Sequence, residues 1–254
     1  MDNINTDILF FLIVAGFIAA FIDSVVGGGG LITVPAFMLA GLEPVVVLGT
    51  NKVASFMGSF TSSVAFLRSG KADLKILKYL FPLSLLGSVL GAYIVHLISS
   101  EFLRPLVVVM LILVTIYSLL KKDWGMEATY TGMTAKTKAL SCIMVFAFGF
   151  YDGFFGPGTG SFILFYFLCL GFDFIGGAAN ARILNFASNI AAAVTFSLLG
   201  VVNYYYALPV GIAMIFGALV GTQVALKKGA AYVKPLFILV TALLIGKQVW
   251  DLLK

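Results

Sequence analysis

Four ionisable side chains stand inside apolar runs of this sequence: Asp23, Lys52, Asp152 and Arg182. A charge in hydrocarbon costs about 2.5–3.5 kcal/mol on insertion scales, so such residues mark a site by default. The two cations suit an anion. Arg182 offers a planar fork that fits tetrahedral oxyanions, and Lys52 offers a point charge. Two glycine clusters, Gly27-Gly28-Gly29-Gly30 and Gly156-Pro157-Gly158-Thr159-Gly160, follow the two carboxylates. Each opens a short apolar segment. A helix that starts at such a break presents unpartnered amides and a positive dipole end, which attract anions. Glycine also lets the backbone approach a ligand closely. Neutral donors lie close by: Ser24, Thr33, Thr50, Asn51, Thr159, Ser161, Asn180, Asn185, Ser188 and Asn189. The expected binding set is Lys52 and Arg182 with Gly27, Gly28, Gly29, Gly30, Gly156, Gly158, Thr159, Asn51 and Asn185. Asp23 and Asp152 are read as coupling or charge-balancing groups that either orient the cations or carry protons. A structural reading stays open beside this one, in which the cations merely pair with the two aspartates as buried bridges.

Other chemistries find no footing. Neither glycine cluster is followed by Gly-Lys-Ser/Thr, so neither reads as a phosphate loop. No acidic ring suggests a metal, and no nucleophile, base and orienter set suggests an enzyme. No cofactor is implied. Cys142 and Cys169 sit in apolar runs and read as small buried residues, not as a disulfide framework.

The elements that must position these residues follow from composition. The chain has 254 residues, of which 61% are hydrophobic and 11% charged, and its mean hydropathy is +1.09. A soluble chain carries about 25% charged residues, so this one reads as a polytopic all-α protein of the lipid bilayer, with no nucleic-acid partner despite its net charge of +5. Apolar runs fall at about 8–26, 30–40, 44–67, 74–98, 102–120, 139–155, 160–170, 174–199, 206–226 and 232–250. A crossing helix needs about 20 residues. The runs at 30–40 and 160–170 are too short to cross, and a broken backbone at membrane depth survives only under protein or beside a water-filled cavity.

The chain also repeats itself. Asp23–Gly27 aligns with Asp152–Gly156 at an offset of 129, and from there the offset is 130. Lys52 then aligns with Arg182, Phe56 with Phe186, Gly70 with Gly200, and Gly87/Gly91 with Gly217/Gly221. The expected organisation is a first repeat at 1–120, a cytoplasmic linker at 121–136 and a second repeat at 137–254, each repeat holding about five helical segments. Placing 68–78, 121–138 and 227–234 in the cytoplasm collects 11 of the 16 basic residues there. Both termini and the loops near 100 and 203 then lie outside. Each half must cross an odd number of times, so the repeats are inverted, an arrangement typical of secondary transporters with a mid-membrane site. Lys52 lies eight residues beyond residue 44, the start of its run, about 12 Å deep, and Arg182 is placed alike from residue 174. The glycine pairs 87/91 and 217/221 read as tight helix packing.

The stretch Gly16–Ser59, with Asp23, the glycine run, Pro35 and Thr50-Asn51-Lys52, resembles the opening motif of the TauE/SafE sulfite exporter family, also called the 4-toluene sulfonate uptake permease family. Gly149–Asn189, with Asp152, Gly-Pro-Gly-Thr-Gly and the Arg182–Asn189 segment, resembles its second motif, although Arg182 stands where a lysine is usual. The resemblance implies a bacterial inner-membrane transporter of small sulfur-containing or carboxylated anions such as sulfite or sulfonates. Proton or sodium coupling and a homo-oligomer are compatible with it. The alternatives are an anion channel, and a scaffold or subunit without transport of its own.

Overall fold

The computed structural model describes residues 6–103, 105–106, 109, 112–113 and 129–228. Among the described residues the structure is helices and connecting turns, with no strand. Eight helices are described: α1 (Thr6–Val26), α2 (Gly30–Leu39), α3 (Pro44–Arg68), α4 (Leu74–His96), α5 (Ala135–Phe154), α6 (Thr159–Cys169), α7 (Phe174–Leu198) and α8 (Tyr204–Lys228). The expected fifth segment of the first half, 102–120, is described at only a few positions, and that of the second half, 232–250, lies outside the described residues. So does the first part of the linker, 121–128.

Helix bounds follow the repeat. α3 and α7 each run 25 residues, starting 130 positions apart. Four helices, α1, α4, α7 and α8, are long and apolar enough to cross a membrane. α2 and α6, with 10 and 11 residues, rise only about 15–17 Å, about half the hydrocarbon thickness. Local chemistry sets the ends. Asp73 caps α4 through Lys75 N–H at 2.9 Å, and Asp173 caps α7 through Gly176 N–H at 2.9 Å. Pro44 opens α3 at a position that needs no N–H. The left-handed glycines also pair by repeat: Gly27 with Gly156, Gly28 with Gly158, Gly41 with Gly171 and Gly70 with Gly200, all at φ between +70° and +99°. Gly41, Gly70, Gly171 and Gly200 each follow a helix C-cap, where a left-handed residue closes the last turn.

The halves exchange their fourth helices. α8 packs along α1 and α3 of the first half, and α4 packs along α5 and α7 of the second. Two bodies result, α1–α2–α3–α8 and α5–α6–α7–α4, which meet chiefly where α3 lies on α7. The glycine pairs make the exchange possible. A Cβ on Gly87 or Gly91 would strike the carbonyls of Phe146 and Phe150, and one on Gly217 or Gly221 those of Phe17 and Phe21. Phe17 and Phe21 are the repeat mates of Phe146 and Phe150, so the contacts are reciprocal, as under a two-fold axis. Phe56 and its own mate Phe186 stack with centroids 6.3 Å apart, one more contact between repeat-related residues. The outward faces repeat as well: Phe11, Val14 and Phe17 on α1 are exposed, as are Leu140, Ile143 and Phe146 on α5. Exposed apolar stripes of this kind suit lipid. The cysteine expectation fails in part: Cys142 is half-buried, but Cys169, at the end of α6, is exposed.

Candidate functional site

The last turns of α1 and α5 carry Asp23 and Asp152, and the glycine breaks that follow abut each other across the two bodies. A Cβ on Gly30 would lie 3.0 Å from Pro157 Cα, and the Ser161 hydroxyl donates to the Val26 carbonyl at 2.8 Å. α3 and α7 bring the cations to this junction. The ion pairs cross between repeats. Lys52 Nζ lies 2.7 Å from Asp152 Oδ1, and Arg182 Nη1 lies 2.6 Å from Asp23 Oδ2. Lys52 also donates to Asn189 Oδ1 at 3.0 Å. Lys52, Asp152 and Arg182 are buried to 2% exposure or less, while the Asp23 side chain keeps 21%. The bridge reading is therefore true as geometry: each cation has a carboxylate partner. Such pairs stabilise little by themselves, because desolvation consumes most of the attraction.

The glycines make room for the cations. A Cβ on Gly156 would sit 2.7 Å from Lys52 Nζ, and one on Gly27 2.9 Å from an Arg182 nitrogen, while a Cβ on Gly160 would fall on the same guanidinium. One of the amides expected to face a ligand is already taken, since Gly29 N–H donates to Asp23 Oδ1 at 3.0 Å. Asp23 thus occupies the anion position at the start of α2. In the second break, Thr159 N–H turns to the Gly156 carbonyl at 3.1 Å, and the Tyr151 hydroxyl braces Pro157 by donating to its carbonyl at 2.8 Å.

Between the breaks lies a cavity of about 30 Å³, room for about two waters. Of the expected set, Lys52, Gly28, Gly29, Gly30, Gly156, Gly158, Thr159, Asn51, Asn185, Asp23 and Asp152 line it. Gly27 and Arg182 do not; Arg182 stands behind Asp23, with Nε and Nη2 buried and without partners. Of the neutral donors, Ser24 and Asn189 also line it. Thr50 and Asn180 serve elsewhere, and do so reciprocally. Thr50 Oγ1 accepts from Asn203 N–H and Asn180 Oδ1 from Asp73 N–H, both at 2.9 Å, so each latches the turn that precedes an exchanged helix. Sequence reasoning missed Ser55 and Ser59 in the lining. The signal was present, because they are the repeat mates of Asn185 and Asn189 and lie one and two turns beyond Asn51. Met214, also in the lining, arrives through the exchange of α8, which has no local signature.

A sequence model of the sulfite exporter TauE/SafE family matches residues 12–247. The chain belongs to that family. Among relatives, it is 38% identical over 242 residues to a probable membrane transporter protein, ORF9, of a Sinorhizobium species, covering 95% of this chain and 92% of the other. It is 35% identical over 248 residues to the probable membrane transporter protein YfcA of Escherichia coli K12, covering 96% and 89%, and 33% identical over 251 residues to a probable membrane transporter protein of Haemophilus influenzae, covering 98% and 97%. No solved structure matches the chain. This TauE/SafE member is therefore an integral membrane protein of a transporter family, with a small substrate, and not an enzyme. Nearly all of its sequence, including both glycine breaks and all four charges of the site, falls within the family match.

Proposed function

We propose that the protein is a secondary transporter of small organic or inorganic anions of the sulfite and organosulfonate type, and that it works by alternating access in a bacterial inner membrane. The observation that carries this reading is that Lys52, both carboxylates and both glycine breaks line one polar cavity, with the second cation, Arg182, paired to Asp23 directly behind its wall. Lys52, Asn51, Ser55, Asn185 and Asn189 supply donors on its walls, and the starts of α2 and α6 bring their dipoles there. Arg182 acts from behind, holding Asp23 in place.

The bodies that would rock are α1–α2–α3–α8 and α5–α6–α7–α4, not the halves 1–120 and 137–254, because the fourth helices are exchanged. The repeats are inverted in this reading. The turn at 69–73 and the linker lie in the cytoplasm, and the turn at 199–203 and both termini lie outside. A proton or sodium ion is the coupling partner for import, since bringing one negative charge in against an inside-negative potential costs about 2.3 kcal/mol per 100 mV.

Two experiments test this. Purified protein reconstituted into liposomes is expected to show saturable, counterflow-competent movement of labelled sulfite or sulfonate. Large unitary currents would make it a channel, and no flux over a broad anion panel would make it a scaffold. Single cysteines at Ala72 and Val202 are expected to label from opposite faces; labelling from one face would remove the inversion.

A further inference from the structure

The charges of the site balance one for one: Lys52 with Asp152, Arg182 with Asp23. Among the described residues no other ionisable side chain lines the cavity. A monoanion added to this set leaves one uncompensated negative charge in a buried place, which low-dielectric surroundings oppose. Something must take up that charge.

The two carboxylates are not equivalent. Asp23 uses both oxygens, Oδ1 accepting from Gly29 N–H at 3.0 Å and Oδ2 from Arg182 at 2.6 Å. Asp152 uses one. Its Oδ1 meets Lys52 at 2.7 Å, while Oδ2 is buried with no hydrogen-bond partner. The repeat mate of Gly29 is Thr159, whose N–H is spent on the Gly156 carbonyl, so the amide that completes Asp23 is missing for Asp152. A buried carboxylate oxygen without a donor is the place for a proton.

We propose that Asp152 takes up one proton for each monoanion bound. The proposal rests on the anion reading above and names the group that couples it. A proton from solution adds to Oδ2 of Asp152, the carboxylate loses its charge, and the Lys52 ammonium turns from Asp152 to the anion. Two positive and two negative charges stand in the site before and after. The groups facing Asp152 fit this role. Lys52 on α3 is the one cation against it among the described residues, and Asn189 on α7 shares that ammonium. Arg182 on α7 is held by Asp23 of α1. α4 and α6 bring no titratable side chain to the cavity. On its own helix, the Tyr151 hydroxyl donates to the Pro157 carbonyl.

The test uses methanesulfonate and 4-toluenesulfonate, strong-acid anions that carry no titrating proton. Calorimetric titration of the purified protein in buffers of differing ionisation heat counts protons taken up per anion. The expected count is one, with Kd rising about tenfold per pH unit wherever one proton is taken up. Asp152→Asn is expected to bind with a count of zero and a Kd flat in pH. Binding by the wild type with a count of zero overturns the coupling and leaves the anion site standing. A count of one that persists in Asp152→Asn overturns the assignment to Asp152. No binding of either anion removes the anion reading and this proposal together. If Asp152→Asn does not fold, Asp23→Asn is titrated in its place: a count of one retained there supports Asp152, and a count of zero overturns the assignment.

Discussion

The two bodies are built on one plan, yet their helix contacts differ. Around α7, three hydroxyls belt the helix backbone: Ser63, from α3 of the other body, donates to the Arg182 carbonyl at 3.0 Å, and from α4 Ser84 donates to Leu184 at 2.8 Å and Ser88 to Ser188 at 2.6 Å. Their repeat mates are Ala193, Met214 and Ala218, which have no hydroxyl to give, so α3 lacks the matching belt. It rests on apolar contact instead: a Cβ on Gly58 would lie 3.2 Å from Met214 Cβ. The cations follow the same division. Arg182, on the belted helix, stands behind the cavity wall; Lys52, on the unbelted one, lines the cavity. The two cations of a repeated scaffold are thus divided, one anchored behind the cavity wall and one facing the cavity.

The largest effect that tests this division falls on Lys52. Lys52→Ala is expected to abolish anion flux in liposomes and to destabilise the fold by about 3–5 kcal/mol, because Asp152 is left buried and unpaired. Adding Asp152→Asn is expected to recover thermal stability without recovering flux. Flux at near-normal rates in the single variant would make Lys52 structural. Next comes the contrast between Gly160→Ala and Gly30→Ala. The first drives a methyl into the Arg182 guanidinium, while the second meets Pro157 at 3.0 Å. Overpacking of about 1–3 kcal/mol is expected for Gly160→Ala and less than about 1 kcal/mol for Gly30→Ala, read by thermal unfolding and by flux. Equal losses would show that the guanidinium can move aside.

Ser88→Ala removes one hydroxyl of the belt. A loss of about 1 kcal/mol is expected in unfolding, and an unchanged melting temperature would mean that the belt does not anchor α7. The smallest effects are those of Gly70→Ala and Gly200→Ala, at repeat-related turns with φ +70° and +72° and open space around both. Each is expected to cost about 1–2 kcal/mol from left-handed backbone alone, equally at the two sites. A clear inequality would break the symmetry where the structure shows it intact.

Much of this architecture can be read from the chain. Intramembrane charges are rare enough to stand out, so Asp23, Lys52, Asp152 and Arg182 identify themselves. Left-handed turns demand glycine, so the repeat survives in Gly27, Gly70, Gly156 and Gly200 even where side chains diverge. The short α2 and α6 follow from counting residues against bilayer thickness. What stays hidden is long-range. Which carboxylate meets which cation depends on how the halves cross, and no local pattern reports that Lys52 reaches Asp152. The exchange of α4 and α8 is equally silent, although Gly87/Gly91 and Gly217/Gly221 announce that something packs there. Ser55 and Ser59 were within reach, since repeating the offset from Asn185 and Asn189 finds them. Cys169 misleads because an apolar run around a residue says nothing about which side of the helix it occupies.

The exchange of the fourth helices bears on how the protein is made. While the ribosome has released only the first half, α1 and α3 lack the helix that covers them, and α4 has no α5 to lie against. The first half must wait in the lipid, its lysine unmatched until Asp152 is made and α1 and α3 uncovered until α8 follows. A chain cut short in the second half is expected to be a substrate for membrane quality control, whereas two separately expressed halves are expected to rescue each other only when made together.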